Sequence, residues 1–427
     1  MRHDLGVSFY FFKNSALLLI DQFLRVIFAL VIGSWTARYL GHSQFGEMTY
    51  AITFITVFQM ISSFSMDSIG VREFIVDDAN SNVIFGSLFF IRIFLGLICW
   101  ILSVFLAWFF LGLNDASFFL IFILGISLVV QSLNIVEIWF QSQKKISYIT
   151  LSRLSAAILS NLFKIYLIEQ HFPLVYFAIT LVFDSVLFVI FLLLCYRKYP
   201  VKGKLKFHMG FAKRFLKDSF PFVLGSVAIF FYTRIDFFII KKYLSSSDLG
   251  LYSAVITISS ALPMIPMVLI NVISPLLLEK KLQSQLLYNN YLIKVFKLFS
   301  YLSILLISLI FYFSNIIIEV LFGIEYIAAA PILRVHVFTN FFIYMGIVQN
   351  VWMVNANLGR LSLFKTLIGL VIAVGMNMIM IPMFGITGAA YSAVVVQFVS
   401  SFLINIFIAP DIFRMQCLSL YKNTFKI

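Results

Sequence analysis

The sequence predicts an all-α integral membrane protein with twelve transmembrane helices in two six-helix lobes. Three observations predict this class: apolar runs along the whole chain, a low charge content, and an uneven distribution of Lys and Arg among the gaps between runs. Hydrophobic residues make up 62% of the 427 residues and charged residues only 11%. A helix needs about 20 apolar residues to cross the hydrocarbon core of a bilayer. A soluble helical protein of this size would instead show polar helix faces.

Twelve runs have the length and composition of a membrane-spanning helix. In chain order they cover residues 15–37, 47–66, 83–111, 117–139, 150–168, 173–195, 219–240, 249–273, 298–318, 331–354, 362–383 and 388–409. The first run begins after Lys13, is too long for the core of a signal peptide and lacks a small-residue cleavage site, so we expect a permanent span. The gaps predicted to lie outside the cell are all short, and the longest gap of all, 196–218, is rich in Lys and Arg.

The basic residues alternate between the two sides of the predicted membrane. Of the 31 Lys and Arg residues, 23 lie at the N-terminus, in the even-numbered gaps or at the C-terminus. This number includes Arg153 and Lys365, because each lies within one turn of the start of its run. The odd-numbered gaps hold three, namely Arg38, Lys241 and Lys242. This positive-inside pattern predicts that both termini are cytoplasmic. Because topology and anionic headgroups explain the net charge of +13, no nucleic-acid partner is expected.

The chain divides into an N-lobe of six spans (1–196), a basic cytoplasmic linker (197–218) and a C-lobe of six spans (219–427). An internal echo supports this division. Residues 39–46, after the first span, match residues 243–250, after the seventh, at Tyr, Leu, Ser and Gly with one constant offset. Ordinary turn chemistry also favours Ser and Gly in such places. Since each half has an even number of spans, the halves form a parallel repeat, as in many transporters.

Ionisable residues inside the apolar runs are the candidate functional residues, because burying a charge in a bilayer is costly. Five cations lie in spans one, three, five, seven and ten: Arg25, Arg92, Lys164, Arg234 and Arg334. If they converge on one cavity, that cavity attracts anions, and guanidinium groups suit phosphate oxygens. The alternatives left open are snorkelling to the headgroups and structural ion pairing.

Three carboxylates in the runs are expected to modulate that positive charge or to carry a coupling ion: Asp21, Asp184 and Asp236. Asp21 and Arg25 are four residues apart, so they share a helix face and can pair. Asp184 lies near the middle of the sixth run, where an inert role is hardest to explain. His336 is assigned to the membrane interface rather than to a proton relay.

Several functions are disfavoured by what the sequence lacks. It has no nucleotide-binding P-loop, no zinc-protease or serine-hydrolase motif, and three scattered cysteines, so we expect neither an enzyme nor a metal or cofactor site. A membrane polymerase or glycosyltransferase remains an alternative, but the short outside gaps leave little room for its substrate site. A multidrug or small-solute exporter remains another, although cationic drugs would require an acidic cavity.

Motifs spread along the chain resemble the Wzx-type O-antigen flippases of the multidrug/oligosaccharidyl-lipid/polysaccharide (MOP) exporter superfamily. The resemblance rests on residues 37–41 with 45–46, 70–73, 232–236, 249–254, 321–334 and 377–390. It implies a MOP/MATE-like transporter fold around a cationic central cavity. Carry-over of function is firmest for Arg234 and Asp236 and weaker for Arg25. A peptidoglycan-precursor flippase is a further alternative, although such proteins usually have two additional spans.

The resemblance also implies a cargo. Such flippases move undecaprenyl-pyrophosphate-linked oligosaccharide repeat units from the cytoplasmic to the periplasmic leaflet of the bacterial inner membrane, by alternating access and with proposed ion antiport. The implied pathway is lipopolysaccharide biosynthesis. The expected partners are the lipid-linked oligosaccharide, membrane lipids, and the polymerase and chain-length proteins of the same pathway.

Overall fold

The structure is a computed structural model that describes the backbone of residues 2–64, 66–356 and 358–421. Side chains are described in the same ranges except at residues 2–21, 68 and 360. These parts of the chain contain sixteen α-helices and no β-strand. The predicted all-α class is therefore confirmed.

The helices follow one another with short connections. Those before the midpoint of the chain are α1 (Arg2–Ser63), α2 (Met66–Val76), α3 (Ser81–Leu111), α4 (Ala116–Val130), α5 (Ile135–Ser142), α6 (Ile146–Glu169) and α7 (Leu174–Tyr196). The rest are α8 (Met209–Tyr243), α9 (Ser246–Ser259), α10 (Met264–Gln283), α11 (Gln285–Phe322), α12 (Ala330–His336), α13 (Thr339–Asn355), α14 (Gly359–Phe398), α15 (Asn405–Ile408) and α16 (Pro410–Leu420). A π-helical segment, Val399–Leu403, joins α14 to α15.

In the described parts of the chain, nine helical segments are long and apolar enough to cross a membrane, and ten if the bent pair Ile324–His336 and Thr339–Asn355 is one span. The chain is thus a multi-pass membrane protein. Two of the longest helices are broken at a glycine with positive φ, Gly41 in α1 (φ 70°) and Gly385 in α14 (φ 61°). Glycine adopts this conformation without a steric penalty. Both breaks fall where the sequence predicts a gap between two runs. The total of twelve spans and the cytoplasmic termini stay predictions.

The chain forms two compact units. The first contains the chain up to Leu40 and Glu47–Val227, and the second contains Gly41–Gly46 and the chain from Ala228 onward. The boundary near the middle of the chain therefore falls inside helix α8, whereas the sequence predicts a linker at 197–218. Helix α8 also contains Pro221, which removes one backbone hydrogen bond shortly before the boundary.

The predicted linker is docked on the first unit. Asn82 at the start of α3 donates to the carbonyl of Lys204 (3.0 Å) and accepts from the backbone N–H of Lys206 (3.3 Å). The backbone N–H of His208 donates to the hydroxyl of Ser87 (3.0 Å). These hydrogen bonds hold the segment in place, because a backbone with fixed partners is no longer a free tether.

Each unit has its own apolar core. In the first unit, Phe74 and Phe140 are among the fully buried residues that join α2, α3, α5 and α7. In the second unit, Tyr288, Phe296 and Tyr344 belong to a cluster contributed by α10, α11, α13 and α16. The predicted lobe boundaries, 1–196, 197–218 and 219–427, stay predictions.

The two echoed turns pack against each other within the second unit. A Cβ added to Gly46 would lie 1.9 Å from the carbonyl oxygen of Ser246, and one added to Gly250 would lie 1.7 Å from that of His42. Positions 42 and 46 correspond to 246 and 250 in the echo, so the same close contact is made twice. A reciprocal contact of this kind supports an internal repeat and explains why glycine stands at both positions.

We expect Gly250→Ala to destabilise the protein by about 1–3 kcal/mol or more, because the new methyl group would overlap a backbone carbonyl that cannot move aside. Thermal unfolding of the purified chain in detergent measures the effect. Gly375→Ala is the matched control, since a Cβ at that glycine of α14 meets nothing within 4 Å. Equal unfolding temperatures for the two variants would show that the turn contact is not tight.

Candidate functional site

In the first unit, charged side chains gather around Asp184 on α7. Its carboxylate lies near Ser160 and interacts electrostatically with Lys164, Arg25 and Arg153. Ser160 and Lys164 are one turn apart on α6, so they face the same carboxylate. The structure therefore brings together three of the predicted residues: Arg25, Lys164 and Asp184.

Arg153 extends this group to a second carboxylate. Its guanidinium donates to Glu137 on α5 at 2.6 Å, and Gln141 donates to the same oxygen at 3.3 Å. The guanidinium also lies 5.0 Å from the ring centroid of Phe188. We call Arg25, Arg153, Lys164, Glu137 and Asp184 the first-unit charge cluster. It holds three cations and two carboxylates, and its charges are largely compensated by one another.

Arg92 lies in a separate ion pair. Its side chain is buried, and its guanidinium donates to Asp67 on the short helix α2 at 2.6 Å. The sequence predicts Arg92 as a cavity cation, whereas in the structure it ties α3 to α2. The reason is that α2, which follows the second run, supplies a carboxylate that neutralises it.

The second unit contains a cavity of about 580 Å³. Residues of α8, α9, α10, α12, α13 and α14 line it, with Ser400 and Ser401 from the π-helical segment. We call it the second-unit cavity. Its size lies in the range of small-molecule sites. Its larger polar lining residues are Tyr232, Arg234, Asp236, His336, Gln349, Asn350, Lys365, Asn377 and Gln397.

Arg234 and Asp236 lie together in this cavity lining, as the sequence predicts for two residues of one site. Asp236 is buried and accepts hydrogen bonds from the hydroxyl of Tyr252 (2.5 Å) and the backbone N–H of Phe237 (2.9 Å). Arg234 interacts electrostatically with Asp236, and its guanidinium lies 5.5 Å from the ring centroid of Phe237. These partners compensate for burying the carboxylate.

His336 is buried beside the same residues. Its Nδ1 lies 2.9 Å from the hydroxyl oxygen of Ser259, which also accepts from the side-chain amide of Asn340 at 2.9 Å. His336 is therefore held inside the second unit, and its depth in the membrane stays a prediction. A bend of 46° between Ile324–His336 and Thr339–Asn355 follows this residue directly.

Lys365 on α14 is the second cation of the cavity lining, and only 9% of it is exposed. Its ammonium donates to Oδ1 of Asn405 at 3.2 Å. The same oxygen accepts from Gln349 at 2.7 Å, and the Asn405 amide donates to Gln416 on α16 at 3.0 Å. We call Lys365, Gln349, Asn405 and Gln416 the lysine–amide network.

Tyr232 joins α8 to the π-helical segment. Its hydroxyl donates to Gln397 (2.9 Å) and lies 2.5 Å from the hydroxyl of Ser400. Local π-helical geometry is rare and is frequent at functional sites. Here it places Ser400 and Ser401 in the cavity wall.

Two predicted residues remain. Arg334 donates to Ser314 (2.7 Å) and Asn315 (3.0 Å) on α11 and is not in the lining of the second-unit cavity. Asp21 lies outside the residues whose side chains the structure describes, so its pairing with Arg25 stays a prediction.

Sequence reasoning missed two cations that the structure places in these groups, Arg153 and Lys365. Both lie within one turn of the start of a run, where a basic residue normally belongs to the flank. Their helices begin earlier than the hydropathy pattern indicates, at Ile146 and Gly359, so both cations lie more than one turn inside a helix.

The family model for polysaccharide biosynthesis proteins matches residues 11–281. The chain belongs to this family. No curated protein matches the sequence significantly. Solved structures that resemble it include a flippase and several transporters.

The lipid II flippase MurJ, in an inward closed conformation, is 16% identical over 97% of this chain and 91% of its own, with a TM-score of 0.72. An inward-facing multidrug-resistance MATE transporter of the MOP superfamily is 14% identical over 94% of this chain and 98% of its own, with a TM-score of 0.67. A MOP transporter from Pyrococcus furiosus, described as having a binding pocket of reversed polarity, is 13% identical over 96% of both chains, with a TM-score of 0.60. These similarities confirm the MOP/MATE-like fold.

We expect Asp184→Asn to lower the unfolding temperature, because three cations would lose the carboxylate they share. Breaking a buried ion pair costs about 3–5 kcal/mol, which is an upper bound here because both Asp184 and Lys164 are only half-buried. The double variant Asp184→Asn/Lys164→Met should recover part of the loss. Thermal unfolding of the wild-type chain, the two single variants and the double variant gives the coupling energy between Asp184 and Lys164.

The exposed carboxylate Asp218 provides the control, since Asp218→Asn should change stability little. Additive effects of Asp184→Asn and Lys164→Met would contradict the electrostatic interaction between Asp184 and Lys164 in the first-unit charge cluster.

Proposed function

We propose that this protein is a flippase that moves an anionic lipid-linked oligosaccharide across the membrane for polysaccharide assembly. The observation that carries the proposal is the charge of the second-unit cavity. Arg234 and Lys365 line it, against Asp236 as the one carboxylate among the described lining residues. A positive cavity surrounded by low dielectric concentrates anions. In a chain of the polysaccharide biosynthesis family, the anionic cargo that fits is a saccharide carried on a lipid phosphate.

The specific cargo we propose is an undecaprenyl-pyrophosphate-linked repeat unit of O-antigen type. It would move from the cytoplasmic to the periplasmic leaflet of the bacterial inner membrane and there meet the polymerase and chain-length proteins. A pyrophosphate diester carries about two negative charges. A membrane potential that is negative inside favours outward movement by about 2.3 kcal/mol per charge per 100 mV.

The chemical difficulty of this transfer is solvation. Sugars and phosphate lose hydration in the bilayer, and burying such polar groups without partners is costly. The polar lining of the second-unit cavity can replace those hydrogen bonds, while the apolar lipid tail stays in the bilayer. The protein would therefore lower the barrier for a polar headgroup and perform no bond chemistry, and its lack of enzymatic activity stays a prediction.

We propose that transport follows alternating access. Transporters with a similar fold adopt inward-facing and outward-facing conformations. The chain passes between its units at Gly41, after Gly46 and inside α8, and glycine and a nearby proline both permit local bending. The coupling carboxylates we propose are Asp184 and Asp236, together with Asp21.

The fold does not separate this function from drug export, since MATE multidrug transporters share it. The cavity does favour one of the two. A cationic drug would be repelled by Arg234 and Lys365, whereas an anionic cargo is attracted.

The test is deletion of the gene followed by analysis of lipid-linked saccharides in inside-out and right-side-out vesicles. We expect repeat units to accumulate on the inner face. Complementation with the wild-type gene should clear them, whereas Arg234→Gln should clear them about tenfold more slowly, since a charge-assisted hydrogen bond contributes about 1.5–3 kcal/mol. Arg25→Gln tests the first unit in the same way.

Lys297→Gln is the control for complementation. Lys297 is a buried lysine of the second unit that lies 5.9 Å from the ring of Tyr301 and does not line the cavity. An unchanged distribution of lipid-linked saccharides in the deletion strain would refute the flippase function.

A further inference from the structure

Lys365 is a buried cation that the ion pairs of the described residues do not neutralise. It lines the second-unit cavity and is 9% exposed. The ion pairs of the described residues include those of Arg72 and Arg214 with Glu73, of Arg92 with Asp67, and of Arg153 with Glu137. The partner of Lys365 is a neutral amide instead, Oδ1 of Asn405.

The lysine–amide network fixes the position of this ammonium. Asn405 and Gln416 are fully buried, and Gln349 is 1% exposed. Because Oδ1 of Asn405 accepts from both Lys365 and Gln349 while its amide donates to Gln416, Ser401 and Gln349, the side chain has one orientation. The ammonium is thereby held at the cavity wall. An ammonium has three N–H donors, and one is used in this network.

A fixed ammonium without a carboxylate partner is costly inside a membrane protein. A structural lysine would be expected to have a carboxylate within reach, as Arg92 has in Asp67 and Arg153 has in Glu137. The two unused N–H donors and the uncompensated charge of Lys365 instead match an oxyanion that enters the cavity.

A second observation in the same cavity points to a ligand rich in hydroxyl groups. Asn377 lines the cavity and is 4% exposed, and its Oδ1 has no hydrogen-bond partner among the described residues. A buried acceptor of this kind is costly unless a donor reaches it. Tyr232, Gln397 and Ser400 add neutral hydroxyl and amide groups to the wall. Such groups bind the hydroxyls of sugars by hydrogen bonds.

We propose that the lysine–amide network forms an oxyanion subsite for the saccharide part of the cargo, with Lys365 binding an acidic group on or next to the sugars. The proposal rests on the proposed function and deepens it, since it assigns an anionic rather than a neutral repeat unit. Two sources share this chemistry: the carboxylate of an acidic sugar and the phosphate that links the sugars to lipid. Lys365 would contact the oxyanion, while Asn405, Gln349 and Gln416 would position the ammonium.

The test is direct binding to the purified full-length chain in lipid nanodiscs, measured by calorimetry with three probes: trigalacturonate, maltotriose and inorganic pyrophosphate. We expect at least one anionic probe to bind about tenfold or more tightly than maltotriose, because a charge-assisted hydrogen bond corresponds to such a factor. Lys365→Met should remove this preference and Lys365→Arg should keep it. Lys297→Met, which removes a buried lysine away from the cavity, should also keep it.

The probes also separate the two sources of the oxyanion. Lys365-dependent binding of trigalacturonate identifies an acidic sugar, and Lys365-dependent binding of pyrophosphate identifies the lipid phosphate. Equal affinities for all three probes, no binding of either anionic probe, or an anion preference that survives Lys365→Met would each overturn the proposal.

Asn405→Asp is the second variant and keeps the lysine in place. It supplies an internal carboxylate at the atom that Lys365 already contacts, so the anion preference should fall while the folded yield is maintained. An unchanged preference would overturn the proposal. Binding is measured without transport, so the two proposals can fail separately. Loss of the anion preference, with saccharides still accumulating after deletion, would refute only the oxyanion subsite. An intact anion preference without such accumulation would refute only the flippase function.

Discussion

A charge buried in a membrane protein needs an opposite charge, hydrogen-bond partners or water, and this requirement organises both units. Hydrocarbon offers none of these, so a lone ionised side chain there is strongly disfavoured. The first unit meets the requirement by pairing. Asp184 serves several cations, Glu137 neutralises Arg153, and Asp67 neutralises Arg92. Its charges lie next to opposite charges and hold helices together.

The second unit meets the same requirement differently. Asp236 accepts hydrogen bonds from Tyr252 and a backbone N–H and interacts electrostatically with Arg234. The ammonium of Lys365 instead donates to the neutral amide of Asn405. Its cations border a cavity instead of a carboxylate network, so the compensation has to come from water or from an anionic ligand. This contrast is the physical basis of our proposal that the second-unit cavity recognises the cargo.

The two segments that echo each other in the sequence touch in the structure. Gly46 and Gly250 occupy equivalent positions in the two echoed turns, and each approaches a carbonyl of the other turn more closely than any side chain would permit. The match of Tyr, Leu, Ser and Gly is visible in the sequence. That the matching turns touch each other is not, because sequence similarity between two segments carries no information about the distance between them.

Hydropathy and charge distribution predicted the helical class, the apolar runs and the breaks at Gly41 and Gly385, because a bilayer imposes length and composition on every span. The family resemblance singled out Arg234 and Asp236, and both line the second-unit cavity. The docking of 197–208 on the first unit depends on Asn82 and Ser87, which are distant in the chain, and no local pattern indicates it.

The sequence by itself therefore determined that this is a membrane protein built from helices and which of its residues carry charge into the bilayer. Only the tertiary structure decided which charges are compensated. Arg92 meets a carboxylate from another helix, Lys365 meets an amide, and His336 meets a serine hydroxyl. These outcomes depend on which helices pack together, and a charge has the same place in the sequence whether its nearest neighbour is a carboxylate or a cavity.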